Sequence, residues 1–359
     1  MMAGATMAAA GTALGSTVGC NDDDVDPNPP PPEPTKGKRI DTHHHALPPE
    51  MKQWMKDNHK LPPQATEPWM TWDEAAALGV MDRLGIQAGV TSMPAPSEIF
   101  FDANAADHGL AMAREGVRIL NDSLASMARR HPTRWGFFAY LPLAHVDFAL
   151  EELARAADLG ADGFQLMNHF GHRYLGDPTF EPIFAALNAR RAVVMTHPDA
   201  LPGDSKISPD IEVSLADFML DTTRGALGMM VSGTLDRHPD LSIILPHGGG
   251  FLPYIVDRTS HGYRIGEGID PEKVRTYLRR FYFDTAGPMS SHMTPTLLAS
   301  ADPSHILFGT DYHQVVEEVV QDDLARFLAD PGLDAAARAA IEQRNALRLF
   351  PNLARKIGV

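Results

Sequence analysis

The sequence predicts a (β/α)8 barrel with a metal site at the C-terminal ends of its strands. Three observations carry that expectation. From residue 38 onward, eight short β-branched or aromatic runs alternate with longer segments of helical periodicity, the pattern of βαβ units around a parallel sheet. Four of those runs end in histidine or aspartate, and barrel enzymes carry their chemistry at that end of the strands. No GxGxxG follows the first run, which argues against an open dinucleotide-binding sheet.

In chain order the strands are "KRIDTHH", "AGVTSM", "WGFFAYLPL", "GADGFQLM", "RAVVMTHP", "LSIILPHG", "FYFDTAG" and "HILFGTDY". The helices are "DEAAALGVMDRLG", "DHGLAMAREGVRILNDSLASMARRH", "VDFALEELARAADLG", "TFEPIFAALNARR", "LADFMLDTTRGALGMMVSGTLDRHP", "FLPYIVDRTSHGYRIG", "SHMTPTLLASAD" and the closing "DAAARAAIEQRNALRLF". In the third helix Val146, Leu150, Leu153 and Ala157 share one face, the spacing of an amphipathic segment. Gly160 follows as its C-terminal cap.

Residues 1–37 stand outside this domain, which spans 38–359. The first twenty, "MMAGATMAAAGTALGSTVGC", are small, mildly apolar and uncharged, and end at the chain's one cysteine, Cys20. An acidic, proline-rich linker follows, "NDDDVDPNPPPPEPTKGK". The segment reads as the apolar core of an export signal with a lipoprotein-type cysteine, lipid-anchored at Cys20, followed by a tether. The alternative is a polar tail on a cytoplasmic protein.

Composition narrows the function. Apolar residues make up 44 % and charged residues 21 % of the 359, enough for a packed core. A formal charge of -15 speaks against nucleic acid or an anionic membrane as partner. No apolar run is long enough for a transmembrane helix. A lone cysteine excludes an internal disulfide and speaks against a cysteine-based zinc site. Sixteen histidines leave imidazole as the ligand to look for.

The first strand ends in His43, His44 and His45, the fifth in His197, the sixth in His247 and the eighth in Asp311. Residues two apart in an extended segment share a face, so His43 and His45 point into the mouth and His44 turns away into packing. Three imidazoles and a carboxylate suit zinc or another divalent first-row ion, with room for a water or substrate atom. His43, His45 and Asp311 are candidate ligands, with His197 or His247 as the third imidazole. Asp284, ending the seventh strand, is placed to orient a ligand through a hydrogen bond. His169 and His172 follow the fourth strand at the same rim. Arg224 and Arg258 are candidate carboxylate anchors, because guanidinium binds carboxylates in bidentate fashion. His313, Trp54, Trp69 and Trp72 are candidates to line a pocket.

These residues carry a resemblance. The stretches "IDTHHHALPPE", "GDPTFEPIFAALNARRAVVMTHP", "PHGGGFLPYIVDR", "YFDTAG", "ILFGTDY" and "RNALRLF" resemble the amidohydrolase superfamily, in its aminocarboxymuconate-semialdehyde decarboxylase branch, over nearly everything from Ile40 to Phe350. "FMLDTTRGAL" and the segment leading into His197 look most like the 6-methylsalicylate decarboxylase-type members. The resemblance implies a metal on His43, His45, His197 and Asp311, with His247 as the acid/base group. It implies a homodimer, with Arg258 reaching into the neighbouring subunit's site. Relatives with glutamate at the first motif position often use manganese, so His43 in that place favours Zn2+, with Mn2+ as the alternative. His313 stands where many relatives have proline, and a tethered member is atypical.

The expected activity is metal-dependent, non-oxidative decarboxylation of a small aromatic or unsaturated carboxylic acid, with Asp311 or His247 delivering the proton and His169, Arg224 and Arg258 meeting the substrate. The alternative from the same residues is hydrolysis of a lactone, ester or amide by a metal-activated water. A third reading, an anchored binding protein without activity, leaves His247 without a purpose.

Overall fold

A computed structural model describes residues 37–61, 68–93, 96–203, 211–266, 268–287 and 289–358. The export segment, Cys20 and the linker lie outside the described residues, as does the side chain of Trp69.

Eight parallel strands form one sheet in sequence order: β1 (Arg39–His45), β2 (Ile86–Ser92), β3 (Trp135–Tyr140), β4 (Gly163–Met167), β5 (Val193–His197), β6 (Ser242–Leu245), β7 (Tyr282–Asp284) and β8 (Ile306–Leu307). Every neighbouring pair is parallel. The sheet closes on itself where β8 runs on toward Asp311: the Thr42 N–H donates to the Phe308 carbonyl (2.9 Å), the Asp311 N–H donates to that of His43 (2.8 Å), and His44 bridges Tyr312 in parallel. A small antiparallel hairpin, His169–Phe170 with Arg173–Tyr174, stands on the rim after β4.

Helices fill the gaps between strands, because each strand buries one face inward and the other against a helical layer. The inner core joins Ile40, Ala88, Val90, Phe138, Val193, Met195, Ile244 and Leu307 to Ala346, Phe350 and Leu353 of the C-terminal helices. The closing "RNALRLF" therefore plugs the barrel at its N-terminal end. Asn345 fixes the plug by donating to the carbonyls of Pro303 (3.0 Å) and Ile306 (2.8 Å). Arg39 pairs with Glu342 at 2.8 Å.

Several expectations about helices are corrected. "FLPYIVDRTSHGYRIG" is no single helix but the short Val256–Thr259 helix and a 3-10 turn, Tyr263–Ile265. Gly262 and Gly266 take φ of 81° and 83° there, in the left-handed region that ends a helix. The helix after β3, Val146–Asp158, buries Phe148, Ala149, Glu152, Leu153 and Ala156. Of the expected stripe only Leu153 is fully buried, since neighbouring helices on both sides rotate the covered face. Gly160 does take its left-handed capping conformation, φ 88°. Among the described residues four helices went unread: Pro49–Asp57, Pro271–Arg280, Pro351–Ile357 and Glu317–Ala329. The last carries a legible signal, with Val320, Leu324 and Phe327 buried at helical spacing.

Candidate metal centre

β1 ends with the three histidines. A register shift against β2 falls between Asp41 and His44, and the Nε2 atoms of His43 and His45 come within 3.1 Å of each other. His44 packs away from them, its ring against Trp135 and Tyr312 and its Nδ1 bonded to Asp41 (3.0 Å). β5 delivers His197, and the chain continuing from β8 delivers Asp311. The ligand atoms of His43, His45, His197 and Asp311 all lie within 4.8 Å of one another. Asp311 Oδ1 is 2.8 Å from His45 Nε2 and 3.4 Å from His43 Nε2.

The outer ring nitrogens explain why the Nε2 atoms are free for this. His43 Nδ1 donates to Asp284 Oδ2 (2.8 Å), His45 Nδ1 to Ser92 Oγ (3.2 Å), and His197 Nδ1 to the Pro198 carbonyl (2.8 Å). The carboxylate and the carbonyl can only accept, which fixes for His43 and His197 a tautomer whose Nε2 lone pair faces the cluster, and the Ser92 hydroxyl accommodates the same tautomer of His45. His197 Nε2 is buried without a hydrogen-bond partner, an arrangement that costs free energy unless something is bound there. Three imidazole nitrogens and one carboxylate oxygen fit a divalent first-row cation.

The electrostatics agree. Burial works against protonating His43, yet the carboxylates of Asp284 and Asp311 raise its pKa to about 9, so a proton stands in for the cation. Burial, then the neighbouring imidazoles, pushes His197 well below the usual histidine range. Burial also lowers His45. Burial opposes ionising Asp311, but His43 and the hydrogen bonds of His247 and His45 hold its carboxyl well below the carboxylate range.

His247 approaches from the other side, its Nε2 3.5 Å from Asp311 Oδ2. Its φ is 54° and that of Asp311 is 58°. Left-handed conformations are strained for such residues and persist where the surroundings over-determine them. Asp284 supplies part of that constraint: its Oδ1 accepts from the His247 N–H (2.8 Å) while its Oδ2 holds His43. One carboxylate thus orients a ligand and places the acid/base loop. The glycines beyond His247 let the loop pack. A Cβ on Gly250, at φ 63°, would lie 2.2 Å from the Met219 carbonyl. Gly309 similarly clears the way for His43, whose Cβ would be 2.9 Å from an added one.

Other expected site residues fall elsewhere. Both ring nitrogens of His169 lie 3.1 Å from carbonyl oxygens, those of Gly171 and Ala200, so its ring ties the hairpin to the loop after β5. His172 is exposed. Arg224 is exposed, its guanidinium 5.3 Å from the Tyr174 ring centre in a cation–π contact. Arg258 is exposed on its short helix. Trp54 and Trp72 are core residues, 4 % and 6 % exposed. His313 bonds Thr71 at 3.0 Å. Sequence reasoning missed Ser92 and Asp41, and nothing local marks either of them.

Comparison with known proteins agrees with this geometry. The family model described as "Amidohydrolase" matches residues 40–351. The chain is similar to the 6-methylsalicylic acid decarboxylase of Aspergillus aculeatus, 31 % identical over 336 residues, covering 88 % of this chain and 97 % of that one. Among solved structures it is similar to 2,6-dihydroxybenzoate decarboxylase complexed with 2,6-dihydroxybenzoate: TM-score 0.74, 26 % identity, 88 % of this chain and 100 % of the other. It is also similar to the dihydroxybenzoic acid decarboxylase of Polaromonas sp. JS666 with bound manganese and 2-nitroresorcinol: TM-score 0.73, 25 % identity, 90 % and 100 % covered. By this match, which takes in every strand of the barrel beyond Arg39, the chain is an enzyme that belongs to the amidohydrolase family, among its decarboxylases.

Proposed function

We propose that the chain is a metal-dependent, non-oxidative decarboxylase whose substrate is a benzoic acid with a hydroxyl beside the carboxylate. The observation that carries this is the joint geometry of four converging ligand atoms and His247, 3.5 Å from the outer oxygen of Asp311. His43, His45, His197 and Asp311 hold the cation. When bound, it supplies Lewis-acid polarisation of the carboxylate and the adjacent hydroxyl.

The protein's residues do the rest. Asp284, Ser92 and the Pro198 carbonyl keep the three Nε2 lone pairs aimed inward. His247 and Asp311, in contact, hold the proton that is delivered to the ring carbon bearing the carboxylate. As that carbon takes the proton, its bond to the carboxyl carbon breaks and carbon dioxide leaves, with no net oxidation. The donor set of three imidazoles and one carboxylate favours zinc, with manganese the alternative suggested by the Polaromonas relative.

The test is carbon dioxide release from a panel of hydroxybenzoates by metal-loaded enzyme, run beside a panel of lactones and esters. Carbon dioxide from ortho-hydroxybenzoates supports the reading. Turnover confined to the second panel would replace it with hydrolysis.

Two further expectations belong to the same reading. The chain forms a homodimer in which Arg258 meets the neighbouring site. Support comes from Tyr254 and Ile265, 82 % and 78 % exposed on the same segment, large apolar side chains of the kind interfaces cover. Sedimentation of the purified protein checks it, and a monomer at assay concentration refutes it. Residues 1–37 export and tether the barrel through Cys20, supported by their charge-free run and acidic linker. Mass spectrometry of the mature N-terminus tests this, and an unprocessed cytoplasmic chain refutes it.

A further inference from the structure

Asp41 is fully buried and touches no lysine or arginine among the described residues. A carboxylate in that setting is costly unless donors surround it. Here they do. Its Oδ1 accepts from the N–H of His43 (3.1 Å) and of Thr310 (3.1 Å). Its Oδ2 accepts from Thr310 Oγ1 (2.6 Å) and His44 Nδ1 (3.0 Å). Thr310 Oγ1 in turn accepts from the Tyr312 N–H (3.1 Å).

The placement of these bonds matters more than their number. They span the seam where β1 meets β8, the junction that brings His43 and His45 up to Asp311. The ladder of β8 is two residues long, and beyond it β1 meets the chain through single backbone bonds at Thr42, Asp311 and His45. The Asp41–Thr310 chain grips the backbone on both sides of Asp311, at 310 and 312, and at the N–H of His43. Asp311 itself is left-handed, φ 58°, a conformation that its neighbours must impose.

We propose that Asp41, acting through Thr310, is a positioning residue. It holds Asp311 in its left-handed conformation and thereby sets the spacing of the ligands across the seam. His44, the histidine turned away from the site, completes the satisfaction of the carboxylate. The inference rests on the assignment of His43, His45, His197 and Asp311 as ligands.

The experiment uses the full chain, stripped of metal and titrated with Zn2+ or Co2+ against a chromophoric chelator, with the visible spectrum of the Co2+ form recorded without substrate. Asp41→Asn and Thr310→Val are expected to weaken metal binding about 10–100-fold and to alter the Co2+ spectrum. Thr310→Ser, which keeps the hydroxyl, is expected to bind like wild type. Wild-type affinity and spectrum in Asp41→Asn, with only a lower unfolding midpoint of the metal-free protein, would make Asp41 a stability residue and overturn the proposal. If Asp41→Asn does not fold, Thr310→Val binding as tightly as Thr310→Ser overturns it equally. His197→Ala runs alongside as the control. Unchanged binding there sinks the ligand assignment and this inference with it, whereas loss there with intact binding in Thr310→Val sinks this inference alone.

Discussion

At the N-terminal end of the barrel, Phe350 and Leu353 close the interior against Ile40, Val90 and Phe138. At the other end of the same strands, His43, His45, His197 and Asp311 bring polar atoms together. The plug is held by volume and apolar contact, with Phe350 edge-on to Phe138 at 5.8 Å. The mouth is held by directed hydrogen bonds to the Asp41 and Asp284 carboxylates, the Ser92 hydroxyl and the Pro198 carbonyl, and it carries His247 and Asp311 in left-handed conformations. Stability belongs chiefly to the first end and chemistry to the second. Strain is tolerated at the mouth because the plug and the helical layer have already secured the fold.

The widest separation between the ends is expected from His247→Ala. Losing the proton donor should lower kcat about 10²–10⁴-fold, with the unfolding midpoint and metal content of wild type. Full retained activity would remove His247 from the mechanism. Phe350→Ala, the counterpart at the plug, should cost about 3–5 kcal/mol of stability by urea unfolding, and leave metal affinity of the folded protein unchanged. A parallel fall in affinity would show that the two ends are coupled.

Asp284→Asn probes the mouth without touching a ligand. Metal affinity should weaken about 10–100-fold in a chelator competition, with a smaller change in stability than Phe350→Ala gives. Affinity equal to wild type would mean that His43 needs no orienting partner. The mildest effect is that of pH. Metal must displace the proton that Asp284 and Asp311 hold on His43 up to about pH 9, so apparent affinity should tighten roughly tenfold per pH unit toward that value and then level off. The metal-free protein should respond in the opposite sense. The raised pKa of His43 stabilises it fully below about 6.5 and is lost as pH climbs through about 9. A flat affinity profile between pH 7 and 9 would contradict the charge on His43.

The ligands were legible because each follows an apolar, β-branched run, and a period of two assigns His43 and His45 to one face. Helices that keep a broad apolar stripe were legible too. Pro271–Arg280 was not, because only Val274, Tyr277 and Leu278 of its ten residues are buried and charge masks the periodicity. The segment after Phe251 looked helical by composition, but its glycines take positive φ where the loop must turn. His169 and Arg224 looked like substrate contacts because they are polar and near the rim. The Ala200 carbonyl and the Tyr174 ring that engage them come from other segments.

By itself the sequence determined the barrel, its strand order and the side chains gathered at the strand ends, since these depend on local period and on what ends each strand. Only the tertiary structure decided which polar side chains serve others. Asp41 needs Thr310, 269 positions away, and Asp284 needs both His43 and the backbone of His247. A buried carboxylate takes its role from the donors that folding brings to it, and closure of β1 on β8 brings those donors from opposite ends of the chain.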